Sequence, residues 1–139
     1  MTSNSPRGYS TRIAMRECRQ TPEQQSRMYQ ERRDVVCQGL DRLGWTYEKP
    51  KASMFVWARI KDEHYKKGEG TLDFCLRMMD EAEVALAPGR AFGENGEGYV
   101  RIALVENEQR LRQAMRNMER ALVPKPPKPK REKASANGR

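Results

Sequence analysis

Histidine occurs once in this sequence of 139 residues, and cysteine and phenylalanine three times each. A lone His64 removes any His-rich zinc site, and any Ser–His or Cys–His mechanism would have to be built on that one residue. Cys18, Cys37 and Cys75 form neither a C-x-x-C pair nor an even framework. A disulfide scaffold is therefore not expected, and free thiols in a reducing, cytoplasmic compartment are. No run approaches the ~18 consecutive apolar residues of a membrane span. Residues 1–12 lack the apolar centre of a secretory signal. Apolar residues make up only 37% of the chain, against roughly 45–50% in ordinary globular chains. Part of the chain is expected not to pack. The length suits one domain, with or without tails.

Charge is plentiful but uneven. The net charge is +8, and residues 125–139 alone hold six bases against one acid. Residues 1–26 hold four bases and two acids, and the stretch between is close to balanced. The basic character belongs to the C-terminal tail rather than to the packed part. Such a tail can contact nucleic acid or another acidic partner, or simply be solvated. It carries no aromatic residue for stacking, so nucleic acid is disfavoured.

Along the chain, residues 1–20 show no period and are expected to be a disordered N-terminal extension. Thr21-Pro22-Glu23-Gln24 has the form of a capped helix start. Met28, Val35, Val36, Leu40 and Leu43 then share one helical stripe, with Gly44 as the stop. Trp45–Glu48 and Met54–Ala58 are expected strands, and residues 59–70 a polar surface loop. Thr71 opens a second helix, with Leu72, Cys75, Leu76, Met79 and Ala82 facing inward. Val84–Ala87 is a short expected strand, and Tyr99–Leu104 the best strand of the chain. Asn107 caps a last helix carrying Leu111, Met115, Met118 and Leu122. The order helix-strand-strand-helix-strand-strand-helix predicts a small α+β domain over residues 21–123, a short sheet covered by helices and flanked by disordered ends. Residues 124–139 form a Pro/Lys-rich basic tail. Its P-x-x-P spacings suit either an SH3-type groove or a stiff linker.

Gly93-Glu94-Asn95-Gly96-Glu97-Gly98 superficially resembles a nucleotide loop. These glycines lead into a strand rather than a helix, and two glutamates would repel phosphate, so a tight turn is expected instead. His64 reads as a solvated loop residue, and Glu94, Glu97 and Glu106 as surface charges. Met78 and Met79 read as core or near-core, and Trp45 and Trp57 as packing residues. Arg101 stands out. Alternation places Tyr99, Arg101 and Ala103 on one face of their strand and Val100, Ile102 and Leu104 on the core face. An arginine on a rigid strand is either an ordinary exposed charge or a planar fork placed to take a carboxylate.

Several segments together resemble the C-terminal small domain of class I/II aminotransferases, nearest to the alanine (glutamate–pyruvate) branch. Tyr29–Val35 is similar to its first helix. Gly44-Trp45 with Pro50–Ala58 is similar to its first strand pair. Val84–Gly89, Phe92-Gly93, Gly96 and Gly98–Leu104 are similar to its substrate-side strands, and Glu106-Asn107 through Ala114 to its last helix. The resemblance covers about residues 27–122. It implies the type I fold, dependence on pyridoxal phosphate, amino-acid and 2-oxo-acid substrates, and a usually homodimeric enzyme. It also implies a substrate-binding role for Arg101, on the substrate's α-carboxylate. The family's Schiff-base lysine lies in a Ser-x-Ser-Lys-like segment of the large domain. The nine lysines here, at 49, 51, 61, 66, 67, 125, 128, 130 and 133, lie in no such setting. No catalytic, cofactor-binding or metal residue is therefore expected in this chain, and it is not expected to transaminate alone. Two alternatives stand beside a small domain awaiting its large domain. One is a non-catalytic binding module using the basic tail. The other is a stranded domain with an exposed apolar face.

Overall fold

The structure, a computed structural model, describes residues 20–123. The expected N-terminal extension, Cys18, the basic tail and its P-x-x-P spacings lie outside the described residues. Helix α1 spans Gln20–Leu43, strand β1 Thr46–Tyr47 and strand β2 Phe55–Arg59. Helix α2 spans Thr71–Ala82, strand β3 Ala87–Pro88, strand β4 Tyr99–Ala103 and helix α3 Glu108–Leu122. Short 3-10 turns occupy Asp62–His64, Gly89–Phe92 and Glu94–Gly96. The strands form one antiparallel sheet in the order β1-β2-β4-β3. This is the predicted α+β domain, three helices packed against a short sheet.

The helix ends follow local chemistry. Gly44 takes a φ of +70°, and the Trp45 N–H reaches back to Leu40 O at 3.0 Å, which stops α1 where the sequence predicts. At its other end the backbone is already helical at Gln20, so Thr21 lies inside α1 rather than at its cap. Asn107 Oδ1 accepts a hydrogen bond from Arg110 N at 2.9 Å and caps α3 as expected. Leu111, Met115, Met118 and Leu122 are the buried residues of α3, the predicted stripe. Helices α1 and α3 approach closely because Gly39 has no side chain. A Cβ there would lie 2.6 Å from the Met115 side chain.

The buried face of α2 and the bounds of the third strand differ from expectation. The buried residues of α2 are Thr71, Phe74, Cys75, Met78 and Ala82, whereas Leu72, Leu76 and Met79 are 57%, 50% and 52% exposed. Two apolar stripes run side by side on this helix. Thr71, Phe74, Cys75, Met78 and Ala82 fit the 3.6-residue period with the larger ring at the centre, and Thr71 is anchored by its hydroxyl. The third strand is Ala87–Pro88 rather than Val84–Ala87. Val84 and Leu86 are buried, but their backbone is not laddered. Pro88 is tolerated because β3 is an edge strand paired on one side only.

The core face of the sheet carries Val56 and Ala58 from β2 and Val100 and Ile102 from β4, all buried under the helices. Two arginines of α1 tie that layer to the strand ends. Arg32 Nη1 donates to Leu104 O at 3.1 Å, and Arg33 Nη1 to Pro50 O at 2.9 Å. Both hold the chain where it enters β2 and leaves β4. Ser53 precedes β2 with a φ of 99°, a left-handed conformation unusual for a side-chain-bearing residue. Its Oγ accepts a hydrogen bond from Phe55 N at 3.2 Å, which fixes the entry into the strand.

His64 is not the solvated loop residue that its neighbours' polarity predicts. Its side chain is only 6% exposed. Trp45 Nε1 donates to His64 Nδ1 at 2.7 Å. Indole has no acceptor role here, so Nδ1 must be unprotonated and the proton of the neutral ring sits on Nε2. Trp45 is buried, with its ring 5.8 Å from that of Phe74. The loop is strapped down by Arg77, which donates to His64 O at 2.7 Å and pairs with Glu69 at 2.7 Å. Burial holds the His64 pKa below its ordinary 6.5, opposed by Glu63 and aided by Lys61 and Arg77. A base whose folded pKa is depressed contributes stability that is fully present above 6.5 and is lost as pH falls towards the folded value. The urea midpoint should therefore drop between pH 7.5 and pH 5.5 (about one unit either side of an ordinary histidine). A His64→Asn variant, which keeps an acceptor without titrating, should flatten that drop. An equal drop in both proteins would assign the acid sensitivity to other groups.

Candidate substrate-carboxylate site

Strand alternation leaves Phe55, Trp57 and Arg59 of β2 and Tyr99, Arg101 and Ala103 of β4 on the face opposite the helices. Arg101 is paired across the ladder with Trp57 on one side and with Ala87 on the other. It sits on β4, an inner strand with β2 on one side and β3 on the other, not at the sheet edge. Its side chain is half-buried, and its guanidinium carbon lies over two phenyl rings at once. The distances are 4.1 Å to the Phe55 centroid and 4.0 Å to the Phe92 centroid. Phe92 in turn meets Trp57 edge-on, with centroids 5.4 Å apart and planes at 81°. Among the described residues no carboxylate pairs with Arg101 and no carbonyl accepts from it. Trp57, expected to pack inside, is 40% exposed on this open face. Beside it Glu48, Lys49, Pro50, Lys51, Phe55 and Trp57 line an open hollow of about 530 Å³.

The glycines build the loop that delivers Phe92. The 3-10 turns Gly89–Phe92 and Glu94–Gly96 cross backbone to backbone. A Cβ on Gly89 would strike Gly96 O and come within 2.8 Å of Tyr99 O. A Cβ on Gly96 would strike the Gly89 carbonyl. Gly93 and Gly98 take φ values of +143° and +86°, which L side chains rarely adopt. The glycine cluster makes the tight turn before β4 that the sequence predicts.

Glu97 is more than a surface charge. Its Oε1 accepts hydrogen bonds from Thr71 N at 3.0 Å and from Thr71 Oγ1 at 2.8 Å. Gly98 N donates to the same Thr71 hydroxyl at 2.8 Å. The loop therefore caps the N-terminus of α2 from a distance, and the hydrogen bonds from the Thr71 backbone and hydroxyl hold the Glu97 carboxyl below its usual range. Glu94 and Glu106 stay on the surface.

Sequence reasoning singled out Arg101 but not the two rings against it. Phe55 shares the face of Trp57 two residues on, which was a usable signal. Phe92 comes from a loop whose course no period reveals. Among the described residues no group of three His, Cys, Asp or Glu side chains is placed to hold a metal ion, and no helix is long and apolar enough to cross a membrane. The two cysteines described, Cys37 and Cys75, are free and buried, and burial pushes the Cys75 thiol up to about 11.

Comparison with known proteins gives this face a context. The chain is 46% identical over 90 residues to the glutamate-pyruvate aminotransferase AlaC of Escherichia coli (strain K12), covering 65% of this chain and 21% of that protein. It is 40% identical over 96 residues to the LL-diaminopimelate aminotransferase of Moorella thermoacetica, covering 69% and 23%. The crystal structure of the aromatic aminotransferase from Pyrococcus horikoshii OT3 superposes with a TM-score of 0.63 at 40% identity, over 69% of this chain and 24% of that one. The chain thus spans between a fifth and a quarter of the length of these relatives. The family model for aminotransferase class I and II matches residues 11–118. On that match and these identities, the chain belongs to the class I and II aminotransferase family.

Proposed function

We propose that this chain is the substrate-carboxylate domain of an aminotransferase, acting with a large domain that it does not contain. The observation that carries the proposal is Arg101, a planar fork on a rigid strand, backed by aromatic rings and unpaired among the described residues. A guanidinium so held meets both oxygens of an amino acid's or 2-oxo acid's α-carboxylate in one plane. Its contribution is to bind and orient the substrate and, by covering the site, to keep water from the reacting carbon.

Class I and II aminotransferases use pyridoxal phosphate, which supplies the electron sink for the chemistry at the substrate's α-carbon. The described residues do not fit that group. All five described lysines are exposed, and Lys49, Lys61 and Lys66 are paired with Asp34, Glu63 and Glu81. None lies in a buried, apolar pocket of the kind that activates a Schiff-base lysine. The cofactor and its lysine are therefore assigned to the large domain; that the assembled enzyme is a cytoplasmic homodimer is part of the same proposal and rests on the family resemblance alone. The alternative of a binding module acting through the basic tail is not favoured. Its motive lies wholly in residues 125–139, outside the described residues, whereas family membership rests on the packed part.

The test is reconstitution. The purified chain should form no visible-range Schiff-base absorbance with pyridoxal phosphate. Mixed with a separately expressed large domain of the same family, it should raise transamination of an amino acid and a 2-oxo acid above the large domain alone. Unchanged activity on mixing would leave a stranded small domain in place of a working one.

A further inference from the structure

The contacts around Arg101 say more than that a cation is present. Arginine side chains are long, and an exposed one rotates freely about its terminal bonds, so much of any carboxylate affinity is lost to ordering it. Here the guanidinium carbon lies 4.1 Å and 4.0 Å from two phenyl centroids, which is stacking distance for a planar group over a ring. Those rings come from independent elements. Phe55 begins β2, two residues after Ser53 with its positive φ, and Phe92 ends the 3-10 turn held by the Gly89–Gly96 crossing. Trp57 abuts Phe92 edge-on and is itself laddered opposite Arg101. Both rings are therefore carried on backbone that is held independently of the arginine.

We propose that Phe55 and Phe92 are positioning residues that clamp the Arg101 guanidinium by its faces and leave its N–H edge as the approach for a planar carboxylate. The inference deepens the proposed function and rests on it for the ligand class. Stacking occupies the faces, where no hydrogen bond can be made, and spares the edge, where all five N–H donors point. A carboxylate sliding in edge-on finds two donors already aligned. Lysine at this place would neither stack as a plane nor offer two parallel donors.

The clamp can be read directly in the full 139-residue chain by nitrogen-15 NMR of rotation about the Arg101 Nε–Cζ bond, with acetate as the carboxylate probe. Arg110, whose side chain is 75% exposed and meets Glu106 only at 4.0 Å on the surface, serves as the exposed reference. Arg101 should rotate more slowly than Arg110, and Phe92→Leu should speed it by roughly two- to thirtyfold, the range expected for one lost cation–π contact. Phe92 is 51% exposed, so this change leaves the core intact, and Phe92→Tyr should restore slow rotation. Phe55→Leu should act in the same direction. Acetate should shift the Arg101 Nε signal in the wild-type chain, and less so in Phe92→Leu. Rotation as fast as that of Arg110 in the wild-type chain, or unchanged in both leucine variants, overturns the clamp. Slow, variant-sensitive rotation with no response to acetate upholds the clamp and overturns the carboxylate role instead.

Discussion

Arg101→Ala is expected to lower kcat/KM of the reconstituted enzyme by roughly tenfold to over a hundredfold, the value of a lost hydrogen-bonded contact to a charged group of about 1.5–3 kcal/mol. The loss should depend on the substrate's carboxylate. Amino acids and 2-oxo acids should suffer it in full, and a simple amine lacking that group hardly at all. Arg101→Lys should recover little, because a point charge replaces a fork that two rings hold in plane. The comparison of an amino acid with its decarboxylated amine is the decisive measurement. Equal losses for both would mean that Arg101 supports the domain and does not touch substrate.

Phe74→Ala should cost about 3–5 kcal/mol in urea unfolding, the range for emptying a buried aromatic site. Phe74 is fully buried, with the Trp45 ring 5.8 Å away, the Tyr65 ring 5.4 Å away and the Arg77 guanidinium 5.0 Å over its face. Its loss would undercut the packing that seats both the Trp45–His64 pair and the Arg77–Glu69 pair. A domain of about 100 residues has only about 5–15 kcal/mol to lose, so the variant should be marginal. Leu76→Ala on the same helix should change stability by no more than about 0.5 kcal/mol, as exposed substitutions do. The pair of variants measures which face of α2 is buried. A Leu76 cost comparable to that of Phe74 would turn the helix back to the face that periodicity alone suggested.

What could be read in advance was whatever repeats at a local period. The spacing of Leu111, Met115, Met118 and Leu122 named the buried stripe of α3, and the alternation through β4 separated Arg101 from Val100 and Ile102 before any coordinates. Helix α2 defeated the same logic because it carries two apolar stripes, and the choice between them is made by Thr71. That residue's hydroxyl is held by Glu97, 26 positions away. His64 was misplaced for a related reason. The composition of residues 59–70 is polar, yet a buried indole N–H needs an acceptor, and only the fold shows that His64 is the one supplied. For the candidate site, the arginine was legible and its setting was not. Phe92 reaches it through a backbone crossing of two glycines that no window of sequence encodes.

The strand order has a consequence for how the molecule comes together. Strand β4 is inserted between β2 and β3, so β3 has no ladder partner until the last strand of the chain arrives. The pairing of β2 with β4 joins segments distant in sequence, and closing such a loop is entropically slow compared with winding any of the three helices. Arg101 meets Trp57 and Ala87 only once those pairings form. On these grounds the face that carries Arg101 is expected to assemble late, in the step that also completes the sheet. A nascent chain halted before residue 99 would hold two of the three helices, and Phe55, Trp57 and Phe92 without the arginine they surround.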